Sequence, residues 1–262
     1  MPFVNAGKYK IHYQIAGVGE PLVLLHGMSN NSNSWHHQLR DLSGEFKVIA
    51  WDAPGYGLSF DPDPLLTQFH EFADVLYLFL KALALSNVHL LGHSMGAAIA
   101  VDFCCRYPDS VKKLILADAT RAAAALSPEE NERRFQERIS NIEMLSPTEL
   151  AERRADQLLA PNAPEDVRES VKKIMAQVRP PGYKSVAYAL RNANQMSLYP
   201  QIKIPVLLIC GELDCITPVS ESRIIHERIP GSQLRTIPNT GHLCYQEDPD
   251  SFNLLVREFL RS

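Results

Sequence analysis

The feature that most constrains the fold is a regular alternation of short aliphatic segments with longer segments of helical periodicity. Apolar residues recur at helical spacing between 69 and 83, and further helices are predicted over 95–107 and after Pro249. Short, wholly aliphatic segments are typical of strands buried on both faces of a parallel sheet. Their alternation with helices predicts an α/β fold. The aliphatic segments cover residues 22–25, 48–51, 88–91, 113–117, 206–210 and 234–237.

The start of the chain departs from this pattern. Residues 9–16 and 22–25 flank the turn-rich sequence GVGE at 17–20, which predicts an antiparallel hairpin between them. The predicted fold class is therefore α/β, with a mostly parallel sheet, an antiparallel start and flanking helices.

A second departure is a stretch of helices without strands between residues 121 and 197. Two Ser-Pro-x-Glu sequences, at 127–130 and 146–149, resemble helix capping boxes. The charged segment 132–138 is interpreted as a solvated helix face with Phe135 turned inward. We predict a core domain (1–120 and 198–262) with a helical cap (121–197) over the carboxyl ends of the strands, where open α/β folds bind ligands.

Composition limits the possible partners. A formal charge of −4 argues against a nucleic-acid partner, and no stretch is apolar enough to suggest a membrane span. Five cysteines without CxxC spacing indicate free thiols in a reducing compartment rather than a zinc site. We expect a soluble, cytoplasmic protein without cofactor or metal, for which homo-oligomerisation stays open.

The motif with the clearest chemical meaning is GHSMG at residues 92–96, between an aliphatic segment and a predicted helix. A tight strand-to-helix turn exposes the serine hydroxyl, and the flanking glycines accommodate the strained backbone. The N-terminus of the following helix directs its N–H groups toward developing negative charge. Ser94 is therefore the candidate nucleophile.

A serine hydroxyl needs a base to become nucleophilic at neutral pH. Of nine histidines, His242 lies in the polar loop NTGH at 239–242, after the last predicted strand. The acid that orients it is predicted to be Asp214, in the sequence GELD that follows the segment 206–210. Asp118, at the end of segment 113–117, is the alternative acid, and Glu212 is a weaker candidate.

The sequence LHGM at 25–28 ends another predicted strand. A loop at this place can donate a backbone N–H to an oxyanion, so the backbone amides of Met28 and Met95 are the candidate donors. His26 is interpreted as a structural residue of this loop.

Together, His26-Gly27, the sequence DAPGYG at 52–57, the 92–96 motif, Asp214 and Gly241-His242 resemble the α/β-hydrolase superfamily along nearly the whole chain. Segments 158–161 and 179–183 are similar to those of bacterial serine esterases and 3-oxoadipate enol-lactonases. Haloalkane dehalogenases and epoxide hydrolases have an aspartate where this chain has Ser94. The sequence HGMS at 26–29 also differs from the His-Gly-Gly-Gly loop of many lipases and C–C bond hydrolases.

These residues predict a serine hydrolase that forms an acyl-enzyme on Ser94. Because a helical cap would enclose a limited volume over Ser94, we expect the substrate to be a small or medium, mostly apolar carboxylic ester or lactone. A C–C bond hydrolase and a ligand-binding receptor on the same fold remain alternatives. Trp35 and Tyr56 are candidate substrate-lining residues. No clear cationic clamp is evident near the motif loops, although Arg121 and Arg191 could bind a substrate carboxylate if they are not simply solvated.

Overall fold

The central element is a sheet of eight strands, described here from a computed structural model that covers residues 2–262. The strand order is β1-β2-β4-β3-β5-β6-β7-β8. Strands β1 and β2, and β2 and β4, pair antiparallel, whereas all other neighbours pair parallel. The strands are β1 (Phe3–Ala6), β2 (Tyr9–Ala16), β3 (Glu20–Leu25), β4 (Phe46–Trp51), β5 (Val88–His93), β6 (Val111–Ala117), β7 (Val206–Gly211) and β8 (Gln233–Ile237).

Ten α-helices accompany the sheet in the described part of the chain. They are α1 (His36–Asp41), α2 (Phe69–Ala82), α3 (Met95–Arg106), α4 (Pro128–Met144), α5 (Pro147–Leu158), α6 (Glu165–Met175), α7 (Pro180–Asn192), α8 (Val219–Arg228), α9 (Cys244–Glu247) and α10 (Pro249–Arg261). Helices α2, α3 and α8 contribute to the core on one face of the sheet, and α1 and α10 to the core on the other. The predicted mostly parallel α/β fold is confirmed.

The strand sequences explain this two-sided burial. In β3, Val23 and Leu25 belong to one hydrophobic core, and Leu22 and Leu24 to the other, as the two-residue period of a strand requires. Strand β8 differs from its predicted burial on both faces. It lies at the sheet edge, and of its residues only Ile237 is buried.

The predicted antiparallel start is confirmed, but the predicted hairpin partner is wrong. Strand β2 pairs with β1 and β4, and β4 separates it from β3. The link between β2 and β3 passes so close to the start of β4 that a Cβ on Gly17 would lie 2.2 Å from the carbonyl oxygen of Ser43. Gly17 also has φ +78°, a conformation that favours glycine. The link between β2 and β3 therefore crosses β4, and β3 does not pair with β2.

Helices α4–α7 all lie between β6 and β7 in the sequence, where helices without strands were predicted. Ser146 and Glu149 form the complete capping box at α5. At α4, Ser127 accepts a hydrogen bond from the backbone N–H of Glu130, but the Glu130 carboxylate pairs with Arg133 and Arg134 instead of returning to the cap. No helix of residues 2–262 combines the length and apolarity needed to cross a bilayer.

Candidate active site

Ser94 occupies a strained turn between β5 and α3, with φ 51° and ψ −113°. Such a conformation costs a non-glycine residue about 1–3 kcal/mol and is typical of functional sites. A Cβ on Gly92 would lie 2.3 Å from the carbonyl oxygen of Gly96, and a Cβ on Gly96 would lie 2.2 Å from that of Leu25. The two glycines of the motif are therefore required by the packing of the turn.

The structure brings Ser94, His242 and Asp214 into one hydrogen-bonded series. The Oγ atom of Ser94 lies 3.0 Å from Nε2 of His242, and Nδ1 of His242 lies 2.8 Å from Oδ2 of Asp214. Because Asp214 accepts the Nδ1 proton, the neutral imidazole has a free Nε2 lone pair facing the hydroxyl. This geometry allows the imidazole to remove the hydroxyl proton.

Thr217 and the backbone fix the Asp214 carboxylate. Its Oδ1 accepts hydrogen bonds from the amides of Ile216 (2.7 Å) and Thr217 (3.0 Å), and its Oδ2 lies 2.7 Å from the Thr217 hydroxyl. Burial favours a raised Asp214 pKa, but the charge of His242 and these hydrogen bonds hold it well below the usual carboxyl range. Burial likewise favours a lowered His242 pKa, and the Asp214 charge and hydrogen bond raise it above the usual imidazole value.

Two contacts fix the backbone of the histidine loop. Nε2 of His93 lies 2.7 Å from the carbonyl oxygen of His242, and the amide of His242 donates to the carbonyl oxygen of Leu158. Burial and the neighbouring His242 lower the pKa of His93 to about 3, so His93 is a neutral donor. Leu158 ends α5, and the position of the histidine loop therefore depends on the helices between β6 and β7.

Glu247 makes a second connection between these two regions. Its carboxylate accepts hydrogen bonds from the amides of Gly241 (2.9 Å) and Ala160 (2.8 Å). Close packing accompanies these bonds, since a Cβ on Gly241 would lie 2.7 Å from the Ala160 nitrogen.

Asp118, the alternative acid, is buried behind this arrangement. It accepts hydrogen bonds from the Gly211 amide (2.9 Å) and the Cys244 thiol (3.1 Å), and it has no hydrogen bond to His242. Burial and the charge of Asp214 raise its pKa to about 8, so Asp118 is largely protonated at neutral pH. Glu212 is exposed and accepts from the amide of Asn239. Of the three acids, Asp214 alone contacts His242.

Asp118 and Asp214 also lie near Cys210, with potential ligand atoms within 4.8 Å of one another. Both oxygens of each carboxylate already accept hydrogen bonds from the protein. Those contacts account for the cluster without a metal ion.

The loop after β3 is held in one orientation by His26. Its Nε2 accepts from the amide of Ala53 (3.0 Å), so the ring proton lies on Nδ1 and is donated to the carbonyl oxygen of Gly27 (2.8 Å). In a trans peptide, the N–H of Met28 points opposite to that carbonyl. Met28 and Met95 both line the cavity that contains Ser94, and the amide of Met95 lies in the first turn of α3, where N–H groups lack helical partners.

The cavity has a volume of about 310 Å³ and is lined by Ser94 and His242. The structure corrects the expectation that Trp35 and Tyr56 line it. Trp35 is 0 % exposed and packs 4.2 Å from the ring of Tyr245, and Tyr56 is 1 % exposed with its ring 5.2 Å from that of His26. Both aromatic side chains are in the core behind the site.

Neither of the arginines considered for a substrate carboxylate is free to bind one. Arg121 makes two 2.8 Å hydrogen bonds to Glu221. Arg191 pairs with Glu132 at 2.7 Å and lies over the ring of Phe135.

The cavity instead contains Arg134, Arg138 and Arg154, from α4 and α5. The interpretation of 132–138 as a solvated face is therefore correct for exposed Arg133 and for inward-facing Phe135, but incomplete for half-exposed Arg134 and for Arg138, which also line the cavity. Their i, i+4 spacing places the two arginines on one helix face, which is the signal that sequence reasoning missed. Thr217 and Glu247 were also missed, since no motif marks them. His93 lies inside the 92–96 motif, but the motif does not indicate its contact with the carbonyl oxygen of His242.

The fold and this geometry together define a class of protein, and comparison with known proteins agrees. A family model described as alpha/beta hydrolase fold matches residues 20–249. The chain belongs to this family, and it is a hydrolase.

Individual relatives have different activities. The chain is 29 % identical to a proline iminopeptidase of Clostridium botulinum, over 99 % of this chain and 96 % of that protein. A thermophilic esterase from Thermogutta terrifontis, crystallised with malate bound, is 27 % identical with a TM-score of 0.90, covering 99 % of this chain and 97 % of that one. An enol-lactonase from Burkholderia xenovorans LB400 has a TM-score of 0.90 over 100 % of both chains at 21 % identity, which shows the shared fold alone.

Proposed function

We propose that this protein is a cofactor-independent serine hydrolase that cleaves a carboxylic ester or lactone through an acyl-enzyme on Ser94. The observation that carries the proposal is the continuous contact from Ser94 Oγ to His242 Nε2 (3.0 Å) and from His242 Nδ1 to Asp214 (2.8 Å) at a cavity wall. Three such groups form a catalytic triad, whatever their order in the chain.

In the first step, His242 Nε2 accepts the hydroxyl proton while Ser94 Oγ forms a bond to the carbonyl carbon of the substrate. The backbone N–H groups of Met28 and Met95 serve as the oxyanion hole for the tetrahedral intermediate. When the C–O bond to the leaving group breaks, His242 returns the proton to the departing alcohol oxygen. The acyl group stays on Ser94, and in a lactone the alcohol remains tethered to it.

In the second step, water enters and His242 accepts one of its protons as the oxygen attacks the acyl carbon. The bond to Ser94 Oγ then breaks, the serine regains its proton from His242, and the carboxylic acid leaves. Both steps use only groups of this chain and water.

The size of the cavity supports a small or medium substrate. Its volume of about 310 Å³ is at the lower end of the range of roughly 300–1,000 Å³ for small-molecule sites. Helices α4–α7 supply Arg138, Leu158 and Met175 to its wall. We therefore assign residues 121–197 as a cap on a core domain of residues 1–120 and 198–262. The likeness to an esterase at 27 % identity supports ester cleavage.

The test is a substrate panel assayed with wild type and Ser94→Ala. It contains p-nitrophenyl esters, aliphatic lactones, acyl-CoA thioesters and vinylogous 1,5-diketones. We expect turnover of esters or lactones by wild type, and a loss of roughly 10⁶-fold in kcat for Ser94→Ala, as in other serine hydrolases. Turnover of the diketones alone would instead identify a C–C bond hydrolase, and no turnover of any compound by folded protein would favour a receptor.

A further inference from the structure

Two arginines face the cavity without a partner for their charge. Among residues 2–262, neither Arg138 nor Arg154 has a carboxylate within 4.0 Å or a side-chain hydrogen bond. Unpaired guanidinium groups that are partly withdrawn from water are unfavourable. The position of these two therefore calls for an explanation.

The other charged groups of the same cavity are paired. Arg134 bonds to Glu130 at 2.6 Å, and Glu221 makes its two 2.8 Å hydrogen bonds to Arg121. Arg138 and Arg154 thus supply the positive charge of the cavity that no protein group neutralises.

The two arginines line the same cavity as Ser94 and His242. Burial, together with the charge of Arg154, lowers the pKa of Arg138 to about 10. The same Arg154 charge opposes the effect of Asp214 on the pKa of His242. Like charges that line one cavity repel each other, and an anion bound by both would relieve that repulsion.

We propose that Arg138 and Arg154 bind a carboxylate of the substrate, so that the natural substrate is a monoester of a dicarboxylic acid or a lactone bearing a free carboxylate. The planar guanidinium matches a carboxylate through two parallel N–H···O bonds. This inference rests on the proposed ester or lactone hydrolysis and specifies its substrate class. It replaces Arg121 and Arg191, whose charges are already paired, as the residues that bind such a group.

A matched pair of substrates tests this selectivity. Monoethyl adipate and ethyl hexanoate have acyl chains of equal length and differ in the terminal carboxylate. Wild type is expected to have the higher kcat/KM for monoethyl adipate. Because a hydrogen bond to a charged group is worth about 1.5–3 kcal/mol, Arg138→Gln and Arg154→Gln should each lower the ratio of the two kcat/KM values roughly 10- to 100-fold.

Control variants come from neighbouring positions on the same helices. Arg133→Gln and Arg153→Gln remove exposed arginines that do not line the cavity, and they should leave the ratio at its wild-type value. Arg138→Lys should retain part of the preference for monoethyl adipate, since lysine keeps the positive charge but lacks the two parallel N–H donors of the guanidinium. An unchanged ratio in folded Arg138→Gln and Arg154→Gln, or an equal loss in the controls, would overturn the proposal.

A binding measurement separates this inference from the proposed reaction. By calorimetry, wild type should bind adipate but not adipamide, and Arg138→Gln should lose the binding. Inorganic phosphate is the second anion, and tighter binding of phosphate than of adipate would contradict the assignment to a carboxylate.

The two proposals can fail separately. Adipate binding that requires Arg138, without turnover of any ester, would refute ester hydrolysis and retain the anion site. Ser94-dependent turnover of ethyl hexanoate, without any preference for monoethyl adipate or binding of adipate, would refute the anion site alone.

Discussion

The two walls of the cavity differ in how their polar groups are satisfied. On the sheet wall, Ser94, His242 and Asp214 are all hydrogen-bonded to one another or to Thr217. On the helical wall, Arg138 and Arg154 have no partner among the described residues. Hydrogen bonds that are already formed hold the groups of the sheet wall in their reactive geometry. The two arginines of the helical wall, by contrast, gain a partner for their charge only when an anion binds.

The largest effect expected from the sheet wall is the loss of the acid. Asp214→Asn should lower kcat by about 10⁴-fold, because an asparagine favours the wrong imidazole tautomer and cannot stabilise the imidazolium. Steady-state kinetics on the best ester of the panel would measure it.

Asp118→Asn is the matched control for this substitution. Asp118 is largely protonated at neutral pH and does not contact His242, so its amide variant should retain most of the turnover. A larger loss for Asp118→Asn than for Asp214→Asn would move the acid to Asp118.

A smaller effect is expected at Thr217, which supports Asp214. Thr217→Val removes the hydroxyl that lies 2.7 Å from Asp214 Oδ2 and leaves the backbone amides in place. We expect kcat to fall about tenfold, the usual value of one hydrogen bond to a charged group, with little change in KM. Thr236→Val, on the exposed edge strand β8, is the control, and equal kinetics for the two variants would remove Thr217 from the account.

On the helical wall, we expect the removal of an unpaired arginine to stabilise the folded protein. Arg138→Met removes an unpaired, partly buried charge and should raise the free energy of unfolding of the unliganded protein by about 0.5–2 kcal/mol. Arg121→Gln, which breaks the pair with Glu221, should lower it. Thermal unfolding without ligand distinguishes the two, and a strong destabilisation by Arg138→Met would show that this arginine is a structural residue.

The smallest effect expected is on pH dependence. The base His242 must be neutral, so kcat/KM should rise with pH through a pKa above the usual imidazole value, as Asp214 raises it. The Arg154 charge opposes that shift, so Arg154→Gln should move the acid limb of the kcat/KM profile to higher pH for a neutral ester. A limb displaced to lower pH would contradict the placement of Arg154 near His242.

The two walls also differ in how well their residues could be predicted from the sequence. Local rules govern the sheet wall: a strand followed by GHSMG must form a strained turn, and the order of serine, acid and histidine follows the strands. For this reason the sequence alone was enough to predict Ser94, His242 and Asp214 as one group, and the structure places them in contact. The pairing of β2 with β1 and β4 depends on how Gly17 passes Ser43, which no local pattern records.

The helical wall depends on contacts between distant segments. Nothing in the sequence distinguishes Arg121 from Arg138. Only the fold shows that Arg121 pairs with Glu221, whereas Arg138 lines the cavity without a carboxylate partner. Aromatic residues near strand ends were equally ambiguous, since Trp35 and Tyr56 pack in the core through contacts with Tyr245 and His26.

The most direct test of the central claim, that Ser94 is the nucleophile, is the intact mass of the protein after reaction with a neutral fluorophosphonate. We expect a single adduct on wild type, located by peptide mapping on the peptide that contains Ser94, and no adduct on Ser94→Ala. A wild-type protein that is folded by circular dichroism and stays unlabelled, or an adduct that maps to another residue, would contradict it.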